Sequence, residues 1–452
     1  MLRYHLLISN RSIVLPFRMN KFIIIKNHLY YLRTSMTEEL GNYETSFFIM
    51  NVPTKADLEI RDMADEDFAI FFHEYIHFLQ DITSFYGYMG IYSHGEYMRR
   101  AINDIYVGPR RFNVPLEFEE RGDFVTINKR IASLSLGDKE ELNFVIIKDV
   151  FIEKFPLTDI FSIPELHVLA ATNKGEEEII IGAYAIRENM AYLLERKCTT
   201  KYRTSCVFPY QIVELLAEKM CPGKLNELDL IALCDMSLQC SVPGHAIFRT
   251  LEAIANGNLV VNKPEDFYDF IFSKKTTFLG EEMEMQRALT VASKLAADHL
   301  LSYVRIEILA QEYQEWIDFT MLAGVGMRTQ HPYFFLDMAR SKRNKENQVL
   351  QYIAKNIGSP QMINELGKRF QLVTDRPICR FEYLEAVREI EYLFEFGERK
   401  CSLRPWCRMS PDGAPVDARC YNAPWKRCDD EQLCPYGLLW RHWKLSGYEP
   451  NL

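Results

Sequence analysis

Between Asp65 and Gly87 the chain runs through Phe68-Ala69-Ile70-Phe71-Phe72-His73-Glu74-Tyr75-Ile76-His77-Phe78-Leu79-Gln80-Asp81-Ile82, apolar at most positions. Wound at 3.6 residues per turn, its polar residues gather on one side. His73, Glu74, His77, Gln80, Asp81 and Ser84 fall within an arc of about 120°, and Ile70 is the one apolar residue among them. This pattern predicts a helix, with Asp65 as its N-cap, an acidic first turn of Asp65, Glu66 and Asp67, and Gly87 as its stop. A helix that is apolar over most of its circumference is buried, so the polar groups on its remaining face need partners there.

Elsewhere the pattern changes character along the chain. Residues 43–52 read as a strand leading towards this helix. Residues 115–181 are rich in β-branched and aromatic positions broken by Gly, Asn and Pro, and predict mixed strands and loops. One of those strands could border a cleft and receive an extended peptide alongside it. Residues 175–182 read as a turn and a short strand, and 183–196 as a helix with Tyr184, Glu188, Ala191, Tyr192 and Glu195 on one face. After Lys201 the spacing is helical, over 229–239, 246–255, 281–319 and 383–396. Ser241-Val242-Pro243-Gly244 breaks two of these helices, and Arg328-Thr329-Gln330-His331-Pro332-Tyr333 is a polar interruption.

The 452 residues suit two or three domains, or one large core with additions. The reading is an α+β chain with a basic extension over 1–35, a core carrying the buried motif helix over 36–200, a helical region over 201–398 and a Cys-rich module over 399–452. A net charge of -9 makes no case for nucleic-acid binding. No apolar run reaches the length of a membrane span. The first 35 residues carry Arg3, Arg11, Arg18, Lys21, Lys26 and Arg33 and no acid, so the rest is more acidic than the whole. This stretch does not read as a standard signal peptide, and a cytoplasmic location is expected.

The motif face carries chemistry. His73-Glu74-Tyr75-Ile76-His77 is an H-E-x-x-H sequence. Residues four apart stand one above the other on a helix, so both imidazoles can hold one divalent metal, with Glu74 beside it as a base. A catalytic zinc normally has three protein ligands and one open position. The extended pattern H-E-x-x-H-x-x-G-x-x-H fails, because Gln80 stands in place of Gly and Thr83 in place of the third His. Glu188 is the candidate third ligand, with Ala191 small enough to let its helix lie close to the motif helix. Glu195 is a reserve ligand or a partner for a ligating imidazole, and Asp81 is a further candidate to orient one. His94 and Glu96 are nearer in sequence, but Gly95 and the turn-like Tyr92-Ser93 argue against a ligand helix there.

His73, Glu74 and His77 followed by Glu188-Asn189-Met190-Ala191 resemble the zinc metallopeptidases of the gluzincin type, over about a quarter of the chain. The resemblance implies a zincin-like core, a bound zinc held by His73, His77 and Glu188, and a peptide or protein substrate. It implies hydrolysis in which Glu74 takes the proton of a zinc-activated water and passes it to the leaving amine. Tyr184, Tyr192, His245, Arg328 and His331 are candidates to steady the oxyanion. Three rivals stand beside this reading: a catalytically silent protein that keeps the zincin fold for binding or regulation, a structural helical protein with a chance motif, and a zinc hydrolase acting on a non-peptide amide.

Five of the eleven cysteines, Cys401, Cys407, Cys420, Cys428 and Cys434, crowd one Pro- and Gly-containing stretch, with Cys379 upstream. Trp406, Trp425, Trp440 and Trp443 lie there too. A second structural metal, an iron–sulfur cluster, disulfides or free thiols in a Trp-rich core are all open readings, since no C-x-x-C pair is present. Cys198, Cys206, Cys221, Cys234 and Cys240 show no ligand spacing and read as core residues.

Overall fold

The first helix, α1, spans Asp65–Thr83, and its burial follows from its composition. Phe68, Phe71, Phe72, Tyr75, Ile76, Phe78, Leu79 and Ile82 are all fully shielded from solvent. Both expected ends move. Ala64, not Asp65, is the N-cap, and Asp65 accepts a hydrogen bond from the Thr200 hydroxyl at 2.9 Å. The helix stops three residues before Gly87. Ser84 takes extended backbone, and its hydroxyl accepts the Gly87 N–H at 3.0 Å, which starts α2 (Phe85–Val107). A serine that leaves one helix can thus cap the next. The turn expected around Tyr92-Ser93 is therefore helix. Gly95 belongs there because a Cβ would come within 3.0 Å of His299 on a packed neighbour.

The computed structural model describes residues 41–451 except 119–123, 159–160, 203–205, 305–309, 373–379 and 411–412. The basic extension over 1–35 and Cys379 lie outside these. Residues Glu39–Leu452 group into one unit by their contacts. The fold is mixed α+β, with 55% helix and 16% strand, so helices do most of the packing.

The strand expected over 43–52 is a hairpin, β1 (Asn42–Glu44) and β2 (Ile49–Val52). After α2 come β3 (Arg111–Asn113), α3 (Phe124–Leu136), and a three-stranded antiparallel sheet of β4 (Val145–Thr158), β5 (Phe161–Thr172) and β6 (Gly175–Ile181). The helix α3 was not expected in that β-rich stretch. It packs on α2, and tertiary contact overrides the strand propensity of Phe-Val-Thr-Ile. Gly182 then leads into α4 (Ala183–Cys198).

The helices α5 (Ile212–Met220), α6 (Glu227–Ser237), α7 (Pro243–Ala255) and α8 (Glu265–Phe272) follow. The helical stretch expected over 281–319 instead opens with a hairpin, β7 (Lys275–Phe278) and β8 (Glu281–Glu284). Leu279 and Gly280, both at positive φ, form its two-residue turn. Next come α9 (Met285–Val304), α10 (Ala310–Gln330), α11 (Phe334–Arg340), α12 (Gln348–Ile357), β9 (Gln361–Asn364) and β10 (Arg369–Phe370). The chain ends with α13 (Glu382–Phe396), α14 (Arg404–Met409), α15 (Arg419–Asn422), α16 (Pro435–His442) and β11 (Glu449–Asn451), which pairs with β3.

Four strands form a sheet in the order β1-β2-β9-β10, with β2 and β9 parallel. Among the described residues β1 and β10 are its outer strands. Helix α1 packs against α4, α10 and α2 and also touches β1, β2 and the short turn at Asn344–Glu346. Residues far apart in sequence thus surround the motif helix. Among the described residues, no helix is long and apolar enough to cross a membrane.

Candidate metal centre

Burial of α1 carries its polar face inside. His73 is 1% exposed, Glu74 4% and His77 6%. Helix α4 packs on α1, and Ala185 and Ala191, each three residues from Glu188 along α4, are small and fully buried. Glu188 projects from α4 onto the histidine pair. His73 Nε2 lies 3.1 Å from Glu188 Oε2, and His77 Nε2 lies 3.4 Å from Glu188 Oε1. Ligand atoms of His73, His77 and Glu188 all fall within 4.8 Å of one another, a grouping that could hold a metal ion. Metal–ligand bonds of about 2.0–2.2 Å in a tetrahedron set neighbouring ligand atoms roughly 3.4 Å apart, close to the distance from each imidazole to its nearer Glu188 oxygen.

The other nitrogen of each imidazole is also engaged. His73 Nδ1 meets Glu195 Oε2 at 2.9 Å, and Glu195 is 1% exposed. His77 Nδ1 meets Gln80 Oε1 at 2.8 Å. Both partners can accept an N–H from Nδ1, so with a metal bound each Nε2 would be free to offer it a lone pair. Glu195, the reserve ligand, thus lies on the far side of His73 from Glu188. Asp81 does not reach an imidazole. It pairs with Arg187 at 3.2 Å, and burial, opposed by that guanidinium, pushes its carboxyl up. The orienting role falls to Gln80. Arg187 donates to Gln80 Oε1 at 3.3 Å, and Gln80 Nε2 donates to the Arg187 carbonyl at 3.2 Å. Burial acts to raise the Glu188 carboxyl, but the His77 and His73 imidazoles overcome it and hold it well below the usual carboxylate range.

Glu74 sits one residue from His73 and is crossed by the chain entering β1. A Cβ on Gly41 would lie 3.3 Å from Glu74 Cγ and 2.7 Å from Ile70, and the backbone there has φ +128°, so glycine suits both the space and the conformation. Of the five oxyanion candidates, Tyr184 is near the group. It feels the charges of Glu188 and Glu74, and burial followed by those charges raises its phenol above the ordinary value. Tyr192 reaches the group only through Tyr210, whose ring centroid is 5.9 Å from Tyr192 and 6.0 Å from His73. Arg328 is elsewhere. It is 1% exposed, holds Asp235 through two nitrogens at 2.7 and 2.8 Å, and donates to the Thr83 carbonyl at 3.0 Å. It closes the C-terminal end of α1 and acts as a structural ion pair, so the polar interruption expected at 328–333 begins as the last turn of α10. His331 packs its ring near Tyr352, and His245 lies on α7 near Arg249. His94 pairs with Glu391 at 3.1 Å and Glu96 with His299 at 2.7 Å, both within helical packing around α2.

Sequence reasoning missed Gln80 as the His77 partner, Arg187 as its anchor, and Tyr210. Gln80 had a signal, three residues after His77 on the same helix face. Tyr210 had none, since it reaches His73 only through the fold. A cavity of about 410 Å³ lined by Phe85, Met89, Ile131, Phe161 and Phe278 contains none of the four motif-site residues.

A second His/Glu grouping lies on the three-stranded sheet. Glu153, His167 and Glu178 also bring ligand atoms within 4.8 Å of one another. His167 Nδ1 meets Glu178 at 2.6 Å, and Nε2 faces Glu165 at 3.6 Å and Glu153 at 3.9 Å. The strands of the 115–181 stretch carry this grouping, while the chain packed against Glu74 is Gly41, just before β1. Comparison with protein-family models, with curated proteins and with solved structures found no match.

Proposed function

We propose that this chain is a zinc-dependent hydrolase with a zincin-like core, that His73, His77 and Glu188 hold the metal, and that the substrate is a peptide bond. One observation carries the reading. Each imidazole has its Nδ1 engaged by a buried partner, and both Nε2 atoms face the two oxygens of one carboxylate. A plain ion pair needs neither the second histidine nor the partners behind the rings.

Zinc bound there would supply Lewis acidity, activating a water and polarising a carbonyl oxygen. Glu74 is placed to accept the proton of the attacking water and return it to the leaving amine. Glu195 and Gln80 keep the ligating nitrogens deprotonated and the rings in register. Tyr184, with its phenol kept protonated by burial and set within the field of Glu188 and Glu74, is a donor available to a developing oxyanion. What favours a peptide is β1. An extended chain running beside β1 would pass close to Glu74, against which Gly41, the residue before β1, packs.

The test is zinc content of the wild type and of a His73→Ala/His77→Ala variant, with hydrolysis of a peptide library by the wild type and by Glu74→Gln. The reading expects loss of one zinc equivalent in the double variant, and a Glu74→Gln protein that keeps zinc but not hydrolysis. Equal zinc in both proteins, or none in either, would overturn it. Intact cellular function in Glu74→Gln with zinc retained would point to the silent binding protein instead.

A further inference from the structure

Four of the cysteines in the C-terminal stretch converge. Cys401, Cys407, Cys420 and Cys434 line one small cavity, with Arg404 and Arg427 at its wall. Cys434 interacts electrostatically with each of the other three. The Cys401 N–H donates to the Cys420 carbonyl at 3.0 Å. None of the four is in a disulfide. They come from four separate pieces of chain: the loop after α13, α14, α15, and the residue before α16. Cys428, closest in sequence to the set, turns its thiol to Asp429 at 3.5 Å and does not line the cavity.

The spacing of the sulfurs discriminates between metals. Four thiolates on one zinc, at about 2.3 Å each, would stand roughly 3.8 Å apart. No three of these four sulfurs lie within 4.8 Å of one another. The space between them measures about 10 Å³, and apart from the sulfurs it is walled by Leu403, Pro424, Pro435 and Tyr436 with the two arginines. The surroundings suit an anionic group. Arg427, buried to 3% exposure, donates to Cys420 Sγ at 3.1 Å. Cys434 caps α16 and accepts the Gly437 N–H at 3.4 Å, which sets its sulfur at the positive end of a helix. Donors to cysteine sulfur are among the features that tune iron–sulfur centres.

We propose that Cys401, Cys407, Cys420 and Cys434 bind an iron–sulfur cluster, with bridging sulfide filling the gap that a single zinc would leave. The cluster ties four short elements that share little regular structure, and its binding energy becomes folding energy for this module. The inference does not depend on the hydrolase reading, because the two sites share no residue.

The test uses the full chain, purified without oxygen and also reconstituted with ferrous iron and sulfide. Iron, acid-labile sulfide and zinc are counted per chain, and the visible spectrum is recorded before and after a chemical reductant. The expected result is equal iron and sulfide, two or four of each, with a broad visible absorption that bleaches on reduction. Cys407→Ser should lose it and Cys428→Ser should keep it. Zinc without sulfide at the cysteines, or no metal after reconstitution, overturns the proposal, and so does loss of the cluster in Cys428→Ser. The wild-type counts decide the matter even if Cys407→Ser does not fold.

Discussion

Two groups of histidine and glutamate meet the same geometric condition for holding a metal, and they differ in how they are built. In the first, on α1 and α4, His73 and His77 are buried, and Glu195 and Gln80 stand behind the rings. In the second, on β4, β5 and β6, the single histidine spends its Nδ1 on Glu178, itself one of the three candidate ligands. The glutamates of that group are open to water, with Glu153 at 65% and Glu178 at 50% side-chain exposure. Both groups mix imidazole and carboxylate within the same distance limit, but they differ in ligand balance, two histidines against one, and in preorganisation. Exposed carboxylates are well solvated and mobile, whereas a buried imidazole with a fixed tautomer has already lost the entropy that binding would cost. The difference teaches that the partners behind the ligands distinguish a built site from a gathering of charges.

That comparison can be broken by experiment. The largest effect is expected from Glu74→Gln, which should lower peptide hydrolysis by about 10²–10⁴-fold with zinc content unchanged. Wild-type turnover in that variant would remove the chemical distinction between the groups. Glu195→Gln should weaken zinc affinity by roughly 10–100-fold, while Glu178→Gln leaves it alone. Titration of apo protein with zinc reads both, and equal effects would erase the distinction drawn from the buried partners.

Acid should act on the first group in a predictable direction. The Glu188 carboxyl lies below the usual carboxylate range in the folded chain, since two imidazoles outweigh its burial. A depressed folded pKa gives stability that is present above the unfolded value and lost as pH falls through the folded one. Glu188→Gln, in metal-stripped protein, should therefore flatten the acid limb of Tm against pH. An acid limb identical to wild type would show that the pairing adds nothing. The smallest effect is expected from His167→Ala, which should leave bound zinc at the wild-type level. Loss of a zinc equivalent there would reverse the comparison.

Much of the first site was legible in the amino-acid sequence. His73, Glu74 and His77 share a face because helical periodicity is a local property, and the surrounding phenylalanines announce a buried helix. Glu188 could be singled out by its residue type and its place on an amphipathic helix. The helix ends were less legible, because Ser84 serves as both stop and cap, and no local rule ranks it above Gly87. The partner of Arg328 was not legible for a related reason. A lone arginine beside a loop resembles a site residue until Asp235 is seen at 2.7 Å.

Sequence by itself determined the chemistry that α1 can offer, the α+β character and the crowding of cysteines near the C-terminus. These follow from spacing and composition over short stretches. Only the tertiary structure decided which group stands behind each imidazole, where Asp81 and Arg328 spend their charge, and which four sulfurs face one cavity. Those choices join residues as far apart as His73 and Glu195, or Arg328 and Thr83. They are made by helix packing, where burial leaves each polar group the partners within reach.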